Sequence, residues 1–406
     1  MKKFLTVAIV LSMLMALCAC GTKSQPAATE TPEPTPAATE TPEPTAEQTL
    51  AQKTLDSMSL DEKIGQLFII RPDALDPDLT SAEIDNASKY GVTELSGAMT
   101  ETLRQYPVGG IAMFGKNITS PQQLTQYVDA LQSASSTPLI MGIDEEGGSV
   151  SRIANSKGFN VKKYKSMAAI GATGDTQNAE DVGYTIGSYL TEYGFNLDFA
   201  PDADVNTNPN NIVIGDRSFG SDPELVARMV SAEIAGLHKA GVMSCAKHFP
   251  GHGDTKGDTH TGYVAVEKTW DELEACELIP FVAAINAGTD MIMAAHITAK
   301  NVTDDGLPAS LSKEMITDKL RGELGYNGVV ITDAMSMGAV TSEYTSAEAA
   351  VKAFTAGADI MLMPDDYKAA FKGIRDAVND GTISMERLNE SVLRILTLKE
   401  QYGILK

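Results

Sequence analysis

The chain has 406 residues, of which 43% are hydrophobic and 21% are charged. This composition is typical of a globular protein and excludes a wholly disordered or collagen-like chain. Acidic residues outnumber basic ones by 54 to 32, which gives a net charge of −22. Phosphates would be repelled by such a charge, so we expect no nucleic-acid partner.

The first twenty residues have the features of a bacterial export signal. Lys2 and Lys3 precede an apolar run from Phe4 to Ala19, which is shorter than the roughly 20 apolar residues that a membrane span needs. The run ends in LCACG, which resembles a lipobox with Cys20 as the lipidated residue. We therefore predict a lipoprotein signal peptide over residues 1–19 and an extracytoplasmic protein anchored to the cell membrane through Cys20. A plain signal peptide cut elsewhere is the alternative.

Residues 20–47 are predicted to be a disordered linker. The decapeptide PAATETPEPT occurs at residues 26–35 and again at 36–45, and it has no large apolar side chain to bury. Proline and like-charged glutamate keep such a chain extended, at roughly 3 Å per residue. The folded domain is therefore expected at residues 48–406.

From about residue 50, short apolar strands alternate with helical segments. The predicted strands are Gln66–Ile70, Gly110–Phe114, Leu139–Ile143, Asn196–Ala200, Val242–Ala246, Met291–Ala295, Gly328–Thr332 and Asp359–Met363. The predicted helices include Pro121–Ser133, Asn178–Tyr193, Pro223–Ala240, Trp270–Ala287, Lys313–Leu324 and Ser346–Ala356. Eight such units predict an α/β fold of the (β/α)8 TIM-barrel type, with an open doubly wound sheet as the alternative.

Two cysteines belong to the predicted folded domain, Cys245 and Cys276. This number excludes a small disulfide-stapled scaffold, and there is no CxxC pair to hold zinc. We expect two buried thiols, with a single disulfide as the alternative.

Several predicted strands end in polar side chains that can do chemistry. Asp144, Lys247 with His248, His296 and Asp333 each follow an apolar run directly. The carboxyl ends of barrel strands form the active-site face, so these side chains are expected to meet there.

The histidine loop, residues 247–260, reads KHFPGHGDTKGDTH and contains three of the five histidines. In one interpretation Asp258 orients His260 as a general acid and base, a task that suits a group with a pKa of about 6.5. In the other, zinc is held by four side chains, namely His248, His252, Asp254 and His260. Pro250 and Gly251 break any helix between His248 and His252, so the two histidines cannot form the helical i, i+4 pair that many zinc enzymes use. We favour the dyad and expect no metal or other cofactor.

Asp333 is the second candidate centre. A carboxylate at the barrel rim beside a general acid is the equipment of a retaining glycosidase, in which the carboxylate attacks the anomeric carbon. Proximity of Asp333 and His260 is the hypothesis on which this interpretation depends.

Four segments carry a resemblance to a known family. They are GIDEEGGSVSR at residues 142–152, IGDRSFGSDP at 214–223, the histidine loop, and ITDAMSM at 331–337. Together they resemble the family-3 glycoside hydrolases, specifically the single-domain β-N-acetylglucosaminidase (β-N-acetylhexosaminidase) branch. The resemblance implies Asp333 as nucleophile, His260 as proton donor and acceptor, and Asp258 as its orienting partner.

The resemblance also implies which residues hold the terminal sugar. These are Asp144, Arg152, Arg217, Lys247 and His248. On chemical grounds we expect His248 to donate to a further ring hydroxyl. Two positions depart from the family pattern: Ser149 stands where an arginine is usual, and Asp202 stands where an apolar residue is commoner, which leaves the contacts of Asp204 open.

The expected reaction is removal of terminal β-linked N-acetylglucosamine from peptidoglycan-derived fragments by a monomeric enzyme. Water is expected to accept the sugar from the enzyme. Phosphate is the alternative acceptor, because a histidine as acid and base repels an incoming anion less than a carboxylate does. The alternatives are a zinc-dependent barrel hydrolase and a non-catalytic sugar-binding lipoprotein.

Overall fold

Eight short parallel strands form the centre of the fold. The computed structural model describes residues 48–86, 89 and 91–406, so the predicted signal peptide, Cys20 and linker lie outside the described residues. In chain order the strands are β1 (Phe68–Ile70), β2 (Gly110–Met113), β3 (Ile140–Ile143), β4 (Leu197–Asp198), β5 (Cys245–Phe249), β6 (Met291–Ala294), β7 (Val329–Thr332) and β8 (Met361–Leu362).

The strands close into a barrel. One parallel sheet has the order β8-β1-β2-β3-β4 and a second has the order β5-β6-β7. Isolated parallel bridges join the two sheets at both edges. Leu197 and Asp202 pair with Met243 and Lys247 at one edge, and Ile331 pairs with Ile360 at the other. The predicted (β/α)8 barrel is therefore confirmed, and the open doubly wound sheet is wrong.

Helices cover the outside of the barrel, which is why the strands are apolar on both faces. The α-helices are Leu50–Ser57, Leu60–Gln66, Ser81–Asp85, Gly97–Gln105, Pro121–Ala134, Met167–Gly171, Thr176–Glu192, Pro223–Lys239, Trp270–Glu274, Leu278–Asn286, Gly338–Thr341, Ser346–Ala356, Tyr367–Asn379 and Met385–Gln401. A π-helix spans Glu314–Glu323, and 3₁₀ turns span Pro72–Leu75, Gly115–Asn117, Gly215–Arg217 and Ala309–Leu311. Among the described residues, no helix has both the length and the apolar character that a membrane span requires.

Capping residues set several of the predicted helix starts. Ser120 and Asp222 each accept a hydrogen bond from the first turn of a helix that begins with proline, which is a favoured start. The prediction of a single helix over Trp270–Ala287 is wrong, because the segment forms two helices, Trp270–Glu274 and Leu278–Asn286. Pro280 has no amide hydrogen and its ring clashes with the carbonyl group four residues earlier, so the helix is interrupted before it.

Two further strand pairs extend the loops on the carboxyl side of the barrel. Glu145–Gly147 forms an antiparallel hairpin with Val150–Ser151, and Val264–Thr269 pairs with Ile297–Asn301. Strand β5 also runs three residues beyond its predicted end, so the histidine loop begins irregular structure only at Pro250.

The two cysteines of the barrel are both free thiols. Cys245 is buried in β5, as expected, whereas Cys276 is only partly buried. The alternative of a disulfide between them is wrong.

Candidate active site

One cavity of about 430 Å³ lies at the carboxyl end of the barrel. It is lined by seven of the predicted site residues: Asp144, Arg152, Arg217, Lys247, His248, His260 and Asp333. The eighth, Asp258, contacts His260. The loops after β3, β4, β5 and β7 therefore bring together side chains that are up to 189 residues apart in the sequence.

Asp144 lies between two cations on the cavity floor. Lys247 Nζ donates to Asp144 Oδ1 at 2.7 Å, and Arg152 Nη2 donates to Oδ2 at 3.1 Å. Burial alone would raise the pKa of Asp144, but the charges of Lys247 and Arg152 hold it well below its usual range. Asp144 is thus an ionised carboxylate held in place by two cations. Its side chain is 21% exposed and lines the cavity.

Glu146 completes this arrangement from beneath. Arg217 donates to both of its carboxylate oxygens at 2.8 Å, and Lys247 Nζ lies 2.5 Å from Oε1. Burial opposes ionisation, but these two cations lower the pKa of Glu146 to about 2. We call Asp144, Glu146, Arg152, Arg217 and Lys247 the charged cage.

Glu145 points away from the cage, because successive side chains of an extended segment alternate in direction. It accepts hydrogen bonds from the amides of Ile153 and Ala154, each at 2.8 Å, and from the hydroxyl of Tyr189. These bonds hold the hairpin that carries Arg152 against the barrel.

His248 is buried behind the cage and is joined to Lys247 by a cis peptide bond. Its Nδ1 lies 2.7 Å from Asp204 Oδ2, and its Nε2 lies 3.4 Å from Arg217 Nη2. Burial and the Arg217 charge lower the pKa of His248 to about 4, so the ring is neutral at pH 7. The tautomer with its hydrogen on Nδ1 donates to Asp204 and leaves Nε2 as an acceptor. In this arrangement a sugar hydroxyl would donate to His248, which is the reverse of the direction expected from the sequence.

Asp333 follows β7 and reaches the cavity from the opposite side. Its Oδ1 accepts a hydrogen bond from the amide of Ala334 at 2.7 Å. Burial opposes ionisation, but nearby His296, His248 and the Ala334 amide lower the pKa of Asp333. The carboxylate is therefore charged and available at neutral pH.

His296 supports the turn that carries Asp333. The ring is buried, and its Nε2 donates to the carbonyl oxygen of Ala334 at 2.9 Å, while Nδ1 lies 2.7 Å from Ser310 Oγ. Burial lowers the pKa of His296 and favours the neutral ring that this pattern needs. His296, two residues after β6, thus acts through the backbone beside Asp333.

His260 and Asp258 form the predicted dyad at the cavity opening. Asp258 Oδ1 accepts from the backbone amide of His260 at 2.9 Å and lies 2.7 Å from its Nδ1. The side chain of His260 is 67% exposed, in contrast to 2% for Lys247. With Nδ1–H directed at Asp258, Nε2 is the ring atom left to exchange a proton with a ligand.

Hydrogen bonds to its backbone carbonyl groups hold the histidine loop from two sides. Asn211 Nδ2 donates to the carbonyl oxygen of His252 at 2.7 Å. The backbone amide of Gly338 donates to the carbonyl oxygen of His260 at 3.2 Å. A Cβ at Gly338 would lie 2.9 Å from the His260 carbonyl oxygen, so only glycine allows this approach. The loop after β7, which carries Asp333, therefore also positions His260.

The alternative zinc ligands do not converge on one point. His252 Nδ1 lies 2.6 Å from Thr255 Oγ1, and Asp254 lies 3.4 Å from Lys268 Nζ. Within the described part of the chain, one group has a spacing that suits a metal, formed by Asp202, Asp204 and His248. Arg217 Nε, 3.6 Å from Asp202 Oδ2, already supplies a positive charge there.

The sequence interpretation missed three residues of this site, Glu146, His296 as a support, and Gly338. The two-residue spacing of Asp144 and Glu146 was a usable signal, because it places both carboxylates on one face of an extended segment. Gly338 gave no signal, since its partner His260 is 78 residues away.

Comparison with known proteins identifies the family of this chain. The profile of the glycosyl hydrolase family 3 N-terminal domain matches residues 59–398. Beta-hexosaminidase A of Pseudoalteromonas piscicida is 36% identical over 339 residues, which cover 77% of this chain and 56% of that protein. Beta-hexosaminidase of Tolumonas auensis is 37% identical over 272 residues, which cover 66% of this chain and 79% of that protein.

A solved glycoside hydrolase family 3 β-N-acetylglucosaminidase from Paenibacillus sp. str. FPU-7 superimposes with a TM-score of 0.78 and 38% identity. The match covers 86% of this chain and 63% of that one. The chain thus spans little more than half of the first relative and under two thirds of this structure. The chain belongs to glycosyl hydrolase family 3.

Proposed function

We propose that this protein is a retaining exo-β-N-acetylglucosaminidase that removes terminal β-linked N-acetylglucosamine. The observation that carries the proposal is the placement of Asp333 and His260 on one cavity whose floor is the charged cage. The beta-hexosaminidase and β-N-acetylglucosaminidase names of the similar proteins support the choice of sugar.

The charged cage suits a neutral ring rich in hydroxyl groups. Asp144 accepts hydrogen bonds from hydroxyls, while Lys247 and Arg217 donate to oxygen atoms. Arg152 also lines the cavity, and its guanidinium group is a further donor for a ligand. Each carboxylate of the cage contacts two of its three cations, so a neutral sugar binds to ions that are already paired.

Two steps account for the reaction. The Asp333 carboxylate attacks the anomeric carbon while protonated His260 gives its Nε2 proton to the departing glycosidic oxygen, leaving a glycosyl–Asp333 ester. His260 then takes a proton from water, and the oxygen attacks the same carbon and releases Asp333. Asp258 holds the imidazole in the required orientation and stabilises its charged form.

Peptidoglycan-derived fragments are the substrate class that fits the proposed location. The predicted lipobox at Cys20 and the linker would hold the barrel outside the cytoplasm, near wall material. We propose this location from the sequence. Replacing Cys20 by alanine should release the protein from the membrane fraction, and retention there would contradict lipid anchoring at this residue.

Turnover of an aryl β-N-acetylglucosaminide by the purified protein tests the activity, with Asp333→Asn as the inactive control. We expect turnover by the native protein and almost none by the variant, which should still bind N-acetylglucosamine. Binding without turnover by the native protein would contradict the proposal and indicate a sugar-binding lipoprotein.

Two further arms of the assay test the alternatives. Full activity after dialysis against a chelator is expected, whereas loss of activity that zinc restores would favour the zinc hydrolase. Product analysis with and without inorganic phosphate identifies the acceptor, since N-acetylglucosamine 1-phosphate forms only if phosphate replaces water.

A further inference from the structure

A second cavity of about 440 Å³ adjoins the candidate active site, and we call it the side cavity. Arg71, Asp85, Phe114 and Arg152 line both cavities, so these four side chains form the boundary between them. The side cavity is as large as the cavity that holds Asp333 and His260. It therefore has room for a part of the substrate that the proposed mechanism does not use.

Contacts within the molecule fix Arg71 in this boundary. Its Nη1 donates to Asp85 Oδ1 at 2.5 Å and to the carbonyl oxygen of Ile84 at 3.0 Å. The Cζ atom of Arg71 lies 4.6 Å from the centre of the Phe114 ring, and that of Arg152 lies 5.2 Å from the same centre. Cation–π attraction thus holds two guanidinium groups against one aromatic ring.

Positive charge prevails in the side cavity, although the chain as a whole carries a net charge of −22. Three cations line it, Arg71, Lys116 and Arg152, together with one carboxylate, that of Asp85. The acidic partners of Lys116 and Arg152 lie outside its lining. A ligand in the side cavity therefore meets more positive than negative groups.

The segment that follows the hairpin adds to this charge. Asn155 and Ser156 of this segment line the side cavity. Residues 147–174 contain no acidic residue and five basic ones, namely Arg152, Lys157, Lys162, Lys163 and Lys165, of which the four lysines are exposed. Since such charges act over about 8 Å at physiological ionic strength, they favour the approach of an anion to this side of the barrel.

The proposed reaction says to which part of the substrate an anion in the side cavity belongs. Terminal N-acetylglucosamine is a neutral sugar, and the charged cage holds it in the proposed function. Any other part of the substrate lies beyond the bond that breaks, in the leaving group. A negative charge bound in the side cavity is therefore a charge of the leaving group.

We propose that the side cavity binds a carboxylate of the leaving group and makes the enzyme prefer acidic leaving groups. This inference rests on the proposed function. Asp85 and Ile84 take bonds from Nη1 of Arg71, and the planar guanidinium group offers further donors in the geometry that a carboxylate matches. The carboxylate can belong to a lactyl ether on the second sugar or to a peptide attached there.

Two disaccharides with the same terminal sugar and the same linkage test the proposal. N-acetylglucosaminyl-β-1,4-N-acetylmuramic acid has a lactyl carboxylate on its leaving group, and the β-1,4-linked disaccharide of N-acetylglucosamine has none. We expect kcat/KM of the native protein to be about tenfold higher for the acidic disaccharide. Its methyl ester and a raised ionic strength should both reduce this preference.

A third substrate identifies the source of the carboxylate. When a peptide is joined to the lactyl group by an amide bond, the lactyl charge is lost and the peptide carboxylates remain. A preference for the disaccharide with the free lactyl acid supports binding of the lactyl carboxylate. A preference for the peptide-bearing substrate alone supports binding of a peptide carboxylate.

The two members of the Arg71–Asp85 ion pair should change this preference in opposite directions. Arg71→Gln removes a donor and should lower the acidic-to-neutral ratio of kcat/KM about tenfold, mainly through KM. Asp85→Asn removes the competing carboxylate and should raise the same ratio about threefold. Arg104→Gln is the matched control, because Arg104 forms an exposed pair with Glu101 on an outer helix, and it should keep the native ratio.

Three results would overturn the side cavity as a carboxylate site. They are equal kcat/KM of the native protein for all acidic and neutral substrates, an unchanged ratio in Arg71→Gln, and a fall of the ratio in both variants of the ion pair. The last result would mean that the pair serves the fold alone. Failure of the native protein to cleave any of these substrates would instead contradict the proposed function itself.

Discussion

The charged cage and the histidine loop serve one cavity but owe their order to different forces. In the cage, Lys247 is held by the buried or half-buried carboxylates of Glu146 and Asp144. In the loop, His260 and Asp258 are 67% and 38% exposed, and backbone bonds to neighbouring loops hold them.

The difference teaches which property each part needs. Recognition of a neutral sugar needs donors and acceptors that do not move, and ion pairs shielded from water supply them. Proton transfer to a leaving group needs a group near solvent that changes its charge in every cycle. Perturbing the cage should therefore damage both stability and activity, whereas perturbing the loop should damage activity alone.

Lys247→Met should have the largest effect, because it leaves Asp144 and Glu146 without their shared cation. Breaking a buried ion pair in this way typically lowers the free energy of unfolding by about 3–5 kcal/mol. We expect that loss in chemical denaturation together with a severe loss of kcat/KM. Lys300→Met, at a pair exposed at 48% and 78%, is the control and should change little. Equal stability of the two variants would contradict the stabilising role of the buried cage.

His260→Ala should abolish most activity without destabilising the fold. We expect kcat/KM to fall by about 10²- to 10⁴-fold on alkyl glycosides, with a much smaller loss on aryl glycosides of acidic phenols, which leave without a proton. Thermal unfolding should match that of the native protein. A uniform loss across leaving groups would contradict the role as proton donor.

Gly338→Ala should reduce activity in the same way as His260→Ala, but by a smaller factor. The new methyl group would lie 2.9 Å from the His260 carbonyl oxygen and push the histidine loop away from Asp333. We expect about a tenfold loss of kcat, greatest for poor leaving groups, since misplacement by about 1 Å is costly in catalysis. Gly97→Ala is the control, because its position has open space. Loss of stability without leaving-group dependence would indicate a structural role only.

Asp202→Asn tests a smaller feature behind the cage. Burial and the charge of Asp204 raise the pKa of Asp202 to about 8, so the folded protein binds a proton that the unfolded chain releases above about pH 4. Stability from this group therefore declines as pH rises from about 4 to 8, by at most about 1.4 kcal/mol per pH unit.

The asparagine variant should flatten that decline between pH 5 and 8. Thermal unfolding across this range is the measurement, with exposed Asp216→Asn as the control. An unchanged pH slope would mean that Asp202 is ionised in the folded protein, paired with Arg217.

Local signals explain how much of this molecule was predictable. The barrel strands were predictable because parallel strands covered on both faces are continuous apolar runs, such as Ile140–Ile143. The Asp258–His260 dyad was predictable because its partners are two residues apart. The break before Pro280 was missed although proline carries the signal.

Long-range pairs explain what was missed. Glu146 accepts hydrogen bonds from Arg217, which is 71 residues away in the sequence, and His296 bonds to the carbonyl oxygen of Ala334, which is 38 residues away. Neither residue type indicates its partner, since a lone glutamate or histidine after a strand can pair with many groups that are distant in the sequence. The family resemblance named most of the cage, but the folded chain was needed to identify Glu146 as the residue that joins Arg217 to Lys247.

The central claim is that Asp333 forms a bond to the sugar while His260 faces it across the cavity. Mass spectrometry of the protein inactivated by a fluorinated N-acetylglucosaminyl fluoride tests this directly, because the slowed intermediate stays attached. The account predicts one glycosyl group on the peptide that contains Asp333, and its absence in Asp333→Asn. A label on Asp144 or another carboxylate, or rapid turnover by Asp333→Asn, would contradict it.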